Sequence, residues 1–253
     1  HLALLVFILV VAVTAKATAV PMAPVKVENG SRTDASSIPV SVGIPFARKA
    51  LSDPSKLSLS APDGGDVPLQ AQALAKWPDG SCRWVLLDFA GTAPAGANSV
   101  YTLSTGGTRG TPKTPVRVEE KKDSITLSNG TIRYHVAIGE AWGTLASADG
   151  RSSARVVSLV EIGAKDRRVT STVVVDALEV YSQGPIRGAV SIRGRRTYSD
   201  GIEGPFSQRV EMFAGWPYVR VEDTLVYAHF PGTHAKPQNP LGLWKIEARA
   251  GDN

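Results

Sequence analysis

The chain has 253 residues, 43% of them hydrophobic and 20% charged, enough for one large β domain or two smaller ones. Lys and Arg number 28 against 23 Asp and Glu, a formal net charge of +5, and that sign suits an acidic ligand. No run of consecutive basic residues exceeds two, as at Arg195-Arg196, and charge so dispersed argues against a nucleic-acid partner.

Residues 2–13 form an almost unbroken apolar run, too short to span a bilayer and of the length of a signal-peptide core. Small residues follow in Ala15-Lys16-Ala17 and Ala17-Thr18-Ala19, each a cleavage option. Residues 1–19 are therefore read as a signal peptide truncated at its start, since neither an initiator Met nor a basic segment precedes Leu2. A buried helix is the alternative, and the run lacks the amphipathic period a helix of a mature domain shows. Nothing later resembles a membrane span, so the expectation is a secreted or periplasmic protein, free of the membrane once the signal is removed.

Short strands follow at residues 25–28, 38–43, 56–60, 67–76, 83–89 and 98–104, with one helical turn expected within 45–51. Between the fourth and fifth of these strands lies Trp77-Pro78-Asp79-Gly80-Ser81, a tight turn specified at each position. Pro78 presets φ at the first central position, Asp79 suits the second, and Gly80 can take φ > 0. Trp77 and Trp84 flank it, where cross-strand packing would pin the register. The single cysteine, Cys82, has no internal disulfide partner, and its place in this motif marks it as a buried core residue. Asp63-Gly64-Gly65-Asp66 lacks the further carboxylates of a Ca²⁺ loop and reads as a plain turn. No metal-ligand spacing is present, and no Gly-rich phosphate loop.

Residues 106–115 are rich in Gly, Thr and Pro without a hydrophobic period, which marks a domain boundary. Beyond it the alternation is cleaner. Ile125 and Leu127 lead into Asn129-Gly130, the strongest two-residue hairpin signal, and Ile132, Tyr134, Val136 and Ile138 share one face while Arg133 and His135 share the other. Asp149-Gly150 and Asp200-Gly201 mark further hairpins. Ile186, Gly188, Val190 and Ile192 alternate with Arg187, Ala189, Ser191 and Arg193; Val219, Val221, Leu225 and Tyr227 alternate with Tyr218, Arg220, Glu222 and Thr224. This is an antiparallel sheet with one wet side, and the chain as a whole is all-β.

Gly43-Ile44-Pro45-Phe46, Val67-Pro68-Leu69-Gln70, the Trp77–Ser81 turn, Arg83-Trp84 and Leu86-Leu87-Asp88-Phe89 stand in an order and spacing that resemble the exo-rhamnogalacturonan lyase-like proteins, grouped with polysaccharide lyase family 26 and YetA-like proteins. The second half is similar to that family's central sandwich at Gly184-Pro185-Ile186-Arg187, at Phe213-Ala214-Gly215-Trp216-Pro217-Tyr218-Val219-Arg220-Val221 and at Leu241-Gly242-Leu243. The resemblance implies a small RIFT-type β-barrel at 24–110 and a large antiparallel β-sandwich at 116–253 that is incomplete in this chain. It also implies a C-terminal α/α toroid missing from it, so that this fragment by itself is not expected to be catalytic. The implied activity is β-elimination on a rhamnogalacturonan- or pectin-type uronate polysaccharide, with no organic cofactor.

Such elimination needs a cation at the C-5 carboxylate and a base for the C-5 proton. Tyr227, His229, His234 and Lys236, leaving a long strand into a Pro/Gly-rich loop, are the first candidates to bind substrate; a solvated loop is the plainer alternative. His135 beside Arg133 is the second place, against a bystander role on a wet sheet face. Arg83 beside Trp84 is the third, against pairing with a strand neighbour. Of the five tryptophans, Trp77, Trp84 and Trp216 are expected in the core and Trp142 is open to exposure. A non-catalytic secreted carbohydrate-binding or structural β protein is the alternative function.

Overall fold

A computed structural model describes residues 20–156, 170–199 and 201–225. The fold is all-β, with a single 3-10 turn at Pro54–Lys56 among the described residues. Contacts divide the chain into two compact units that part between Gly110 and Thr111, with Pro39–Ser41 grouped in the second.

The first unit holds β1 (Val20–Glu28), β2 (Ala35–Pro45), β3 (Leu57–Ser60), β4 (Asp66–Val67), β5 (Leu69–Lys76), β6 (Cys82–Ala93) and β7 (Asn98–Thr105). They form a four-stranded sheet, β1-β7-β3-β4, and a three-stranded sheet, β2-β6-β5. Inward residues of both fill one core: Val25, Val27, Leu57, Leu59 and Leu103 from the first, Leu69, Val85, Leu87 and Phe89 from the second. The Phe89 and Tyr101 rings meet at 5.2 Å between centroids. Cys82 is buried.

The turn between β5 and β6 has the chemistry its residues specify. Gly80 has φ +84°, its N–H donates to the Trp77 carbonyl at 2.9 Å, and the Trp77 N–H donates to the Ser81 carbonyl at 2.8 Å. Asp79 accepts from the Ser81 hydroxyl and N–H at 2.6 and 3.1 Å and from Arg48 Nε at 2.9 Å. Those bonds, the Ser81 hydroxyl first, hold the Asp79 carboxyl down at about 2.

Three local expectations are corrected. Residues 45–51 form no helix; the Ala50 N–H closes a turn on the Ala47 carbonyl at 3.1 Å, with Lys49 at φ +66°. The strand expected over 67–76 is split at Pro68, which has no N–H for a ladder and bridges Gly110 instead. Trp84 is 42% exposed rather than in the core. Register shifts around Ala75 and Lys76, opposite Trp84 and Cys82, turn both Arg83 and Trp84 outward. The Trp77 indole N–H donates to the Phe46 carbonyl at 3.0 Å, while Arg83 lies 4.9 Å over its ring.

The second unit holds β8 (Arg117–Lys121), β9 (Ser124–Ser128), β10 (Ile132–Ala137), β11 (Gly143–Ser147), β12 (Ser153–Val156), β13 (Ser171–Gln183), β14 (Arg187–Tyr198), β15 (Glu203–Phe213) and β16 (Val219–Leu225). A five-stranded antiparallel sheet, β12-β11-β10-β9-β8, faces a four-stranded one, β13-β14-β15-β16. Ile125, Leu127, Tyr134 and Val136 from the first interdigitate with Val173, Val190, Ile192, Val210 and Met212 from the second, which makes this unit a β-sandwich.

Alternation on β10 follows the sequence pattern as far as Ala137. The strand ends there, and Ile138, expected on the buried face, is exposed. On β14 the wet face is also corrected at its start: Arg187 and Ala189 are buried. Arg187 Nη1 pairs with Glu211 Oε1 at 2.9 Å, and Arg220 closes on the other Glu211 oxygen. Farther along, Arg196 lies on the core-facing side, bonded to the Ser171 hydroxyl at 3.0 Å and 3.5 Å from Asp223.

Tyr134 is the buried centre of the first sheet, and burial pushes its phenol upward. Its hydroxyl has no hydrogen-bond partner among the described residues. Tyr134→Phe is therefore expected to raise stability by about 1 kcal/mol, read as a higher urea midpoint; a lower midpoint would show that the hydroxyl is satisfied in solution.

Candidate basic cleft

The hairpin β9–β10 builds the most suggestive surface feature of the second unit. Ser128 pairs with Arg133, leaving four residues between them, so the connection is longer than the two-residue turn expected from Asn129-Gly130. The reason is the use made of the Asn129 side chain. Its amide donates to the carbonyls of Phe213 at 2.8 Å and Trp216 at 2.6 Å, and its carbonyl oxygen accepts the N–H groups of Thr131 at 3.1 Å and Ile132 at 3.0 Å. Gly130 takes φ +80° to complete the turn.

Above this buried amide lies an open cleft of about 360 Å³, lined by Lys113, Thr114, Pro115, Arg117, Ser128, Asn129, Gly130, Ile132, Arg133 and Ala148. Strand register explains why cations gather there. Val116 and Val118 pack on the core, so alternation turns Arg117 outward. Arg117 opposes Ser128, and Ser128 opposes Arg133, placing two guanidinium groups on either side of a hydroxyl across three adjacent strands. Lys113 joins them from the segment before β8. No carboxylate lines the cleft, and none of the three cations has an acidic partner among the described residues.

The outer face of the other sheet provides the contrast. There Arg193 pairs with Glu179 at 3.2 Å, Arg195 with Asp176 at 3.1 Å, Arg209 with Glu222 at 3.6 Å, and Arg220 with Glu211. One face neutralises its own charge; the other leaves it available to an anion.

Of the sequence candidates, Tyr227, His229, His234 and Lys236 lie outside the described residues. Arg133 lies in the cleft. His135, two residues along and on the same face, is half-buried and bonded through Nδ1 to the Thr126 hydroxyl at 3.0 Å. Arg83 is exposed, its guanidinium carbon 4.9 Å from the centroid of the Trp77 ring. Asp63-Gly64-Gly65-Asp66 is a turn, in which Asp63 Oδ1 accepts the Gly65 N–H at 2.9 Å. Trp142 is exposed at the end of the first sheet, under the Arg155 guanidinium at 4.5 Å. Lys113 and Arg117 were not singled out in the sequence; the signal for Arg117 is its place between two inward valines.

Residues 24–106 match the family described as the PcRGLX-like N-terminal RIFT barrel domain, a rhamnogalacturonan lyase-like barrel running from within β1 to the end of β7. No curated protein matches the chain.

Proposed function

We propose that the barrel and sandwich are parts of a secreted polysaccharide lyase-like protein that acts on a rhamnogalacturonan- or pectin-type uronate polysaccharide by β-elimination. The observation that carries this reading is the set of cations without acidic partners, Lys113, Arg117 and Arg133, in one cleft of the sandwich. The likeness of residues 24–106 to a rhamnogalacturonan lyase-like barrel supports the substrate class, and the apolar run at residues 2–13 supports export.

The chemistry assigned to the cleft is the first half of an elimination. A uronate resists loss of its C-5 proton because the carboxylate already carries charge. Arg117 and Arg133, held by strand pairing on either side of Ser128, would offset that charge as it grows toward an enolate. Guanidinium suits the task because its N–H edge matches a carboxylate in two-point geometry. The base is sought among Tyr227, His229, His234 and Lys236.

Binding is the direct test. Titrating the protein with polygalacturonate at low salt should give saturable heat, and Arg117→Ala with Arg133→Ala should weaken it by about tenfold or more. Added salt should weaken it further. A wild-type protein that ignores uronate polymers, or a double variant that binds as well as wild type, refutes the assignment. For turnover, rising far-ultraviolet absorbance of unsaturated uronate is the readout, and its absence over several pectic polymers removes the lyase activity.

A further inference from the structure

We propose that Arg155, seated on Trp142, is a second anionic-sugar anchor, so that the outer face of the five-stranded sheet binds a uronate chain at two points. This rests on the uronate reading of the cleft and adds to it the length of ligand recognised.

Register places the two anchors on one surface. Arg133 opposes Ala146 and His135 opposes Thr144; Thr144 in turn opposes Arg155, and Ala146 opposes Ser153. Residues directly opposite across antiparallel strands share a face, so Arg133, His135, Thr144, Ala146, Ser153 and Arg155 all project outward. Arg155 lies two strands from Arg133, roughly 10 Å across the sheet. Between the two stand Ala146 and Thr144, small side chains that leave a shallow floor flanked by cations.

Arg155 is prepared for an anion in the same way as the cleft. It is exposed and has no acidic partner among the described residues. The Trp142 ring beneath it, 4.5 Å from the guanidinium carbon, fixes the plane of the group while leaving its N–H edge open. The nearby Arg151 is occupied by Asp149 at 3.5 Å. Glu119 shares this face, two residues along β8 from Arg117, and opposes Thr126, two strands from Arg133 and outside the path between the anchors.

The ligand class follows from the spacing. Two separated cationic points with hydroxyls of Thr144, Ser153 and Ser128 around them match a chain that carries single carboxylates among many hydroxyl groups. A densely phosphorylated strand would call for cations packed along one line.

Galacturonate and a ladder of its oligomers, titrated into the full chain, provide the test. Wild-type affinity should climb with length until a chain spans both points and then level off. Arg155→Gln should leave monomer binding unchanged and weaken the longest oligomer by about tenfold. Trp142→Leu, which keeps the charge but removes its seat, should lose part of the same gain. Wild type that binds oligomers with Arg155→Gln indistinguishable at every length overturns the second anchor alone. Equal weakening at every length, monomer included, overturns it too, because Arg155 would then act at the cleft. Wild type that binds no uronate at all removes the underlying reading. Single-stranded nucleic acid that binds as tightly, with the same dependence on Arg155, overturns the assignment to a sugar acid.

Discussion

Gly194→Ala is expected to lower the stability of the second unit by at least about 3 kcal/mol. Gly194 sits on β14 opposite Val175, where the pairing with β13 shifts register before Ala177. A Cβ there would fall 2.0 Å from the backbone oxygen of Val174 and 3.0 Å from its carbonyl carbon. Backbone cannot rotate aside as a side chain can, so β13 and β14 must separate. Urea unfolding should show a large fall in midpoint with the slope preserved. Gly188→Ala is the control: its Cβ would meet Val116 Cγ1 at 2.6 Å, a methyl that can be trimmed, so Val116→Ala should restore much of that loss. A Gly194→Ala protein within about 1 kcal/mol of wild type would mean that the strands approach less closely than described.

Glu211→Ala should cost about 3–5 kcal/mol. Glu211 and Arg187 are 2% and 3% exposed, so truncation takes from a buried guanidinium the carboxylate that faces it at 2.9 Å. It also takes from Arg220 its pairing with the second Glu211 oxygen, leaving it Glu222 at 3.6 Å. Replacing both buried partners, Arg187→Met with Glu211→Leu, should recover most of the loss, because the cost lies in the uncompensated charge and a well-filled apolar pair has none. A double variant as unstable as the single one would show that Arg187 holds the sheet through bonds other than this pair.

What the sequence disclosed depended on how far apart the interacting residues lie. The Trp77–Ser81 turn was legible because Pro78, Asp79 and Gly80 act within a few bonds of one another. The β10 alternation was legible for the same reason. Trp84 was misread because a bulge shifts the phase of β6, and bulges leave little mark in a hydrophobic pattern. Asn129-Gly130 gave the place of a hairpin and the wrong length, since the Asn129 side chain serves carbonyls at Phe213 and Trp216, more than eighty positions away. Arg187 looked solvent-facing by alternation; its burial is set by Glu211 on a different strand. The cleft was half legible: Arg133 stood out beside His135, whereas Arg117 and Lys113 join it only through the lateral register of β8 on β9.

The double grip of Asn129 has a bearing on how the cleft would recognise anything. Because the Asn129 amide makes two bonds across to the carbonyls of Phe213 and Trp216 and two more within its own connection, the rim carrying Arg133 is already stiff before a guest arrives. Little configurational freedom is then surrendered on docking, and a misfitting guest cannot be accommodated by a yielding loop. Discrimination among sugar acids would come from shape already in place rather than from closure around the guest.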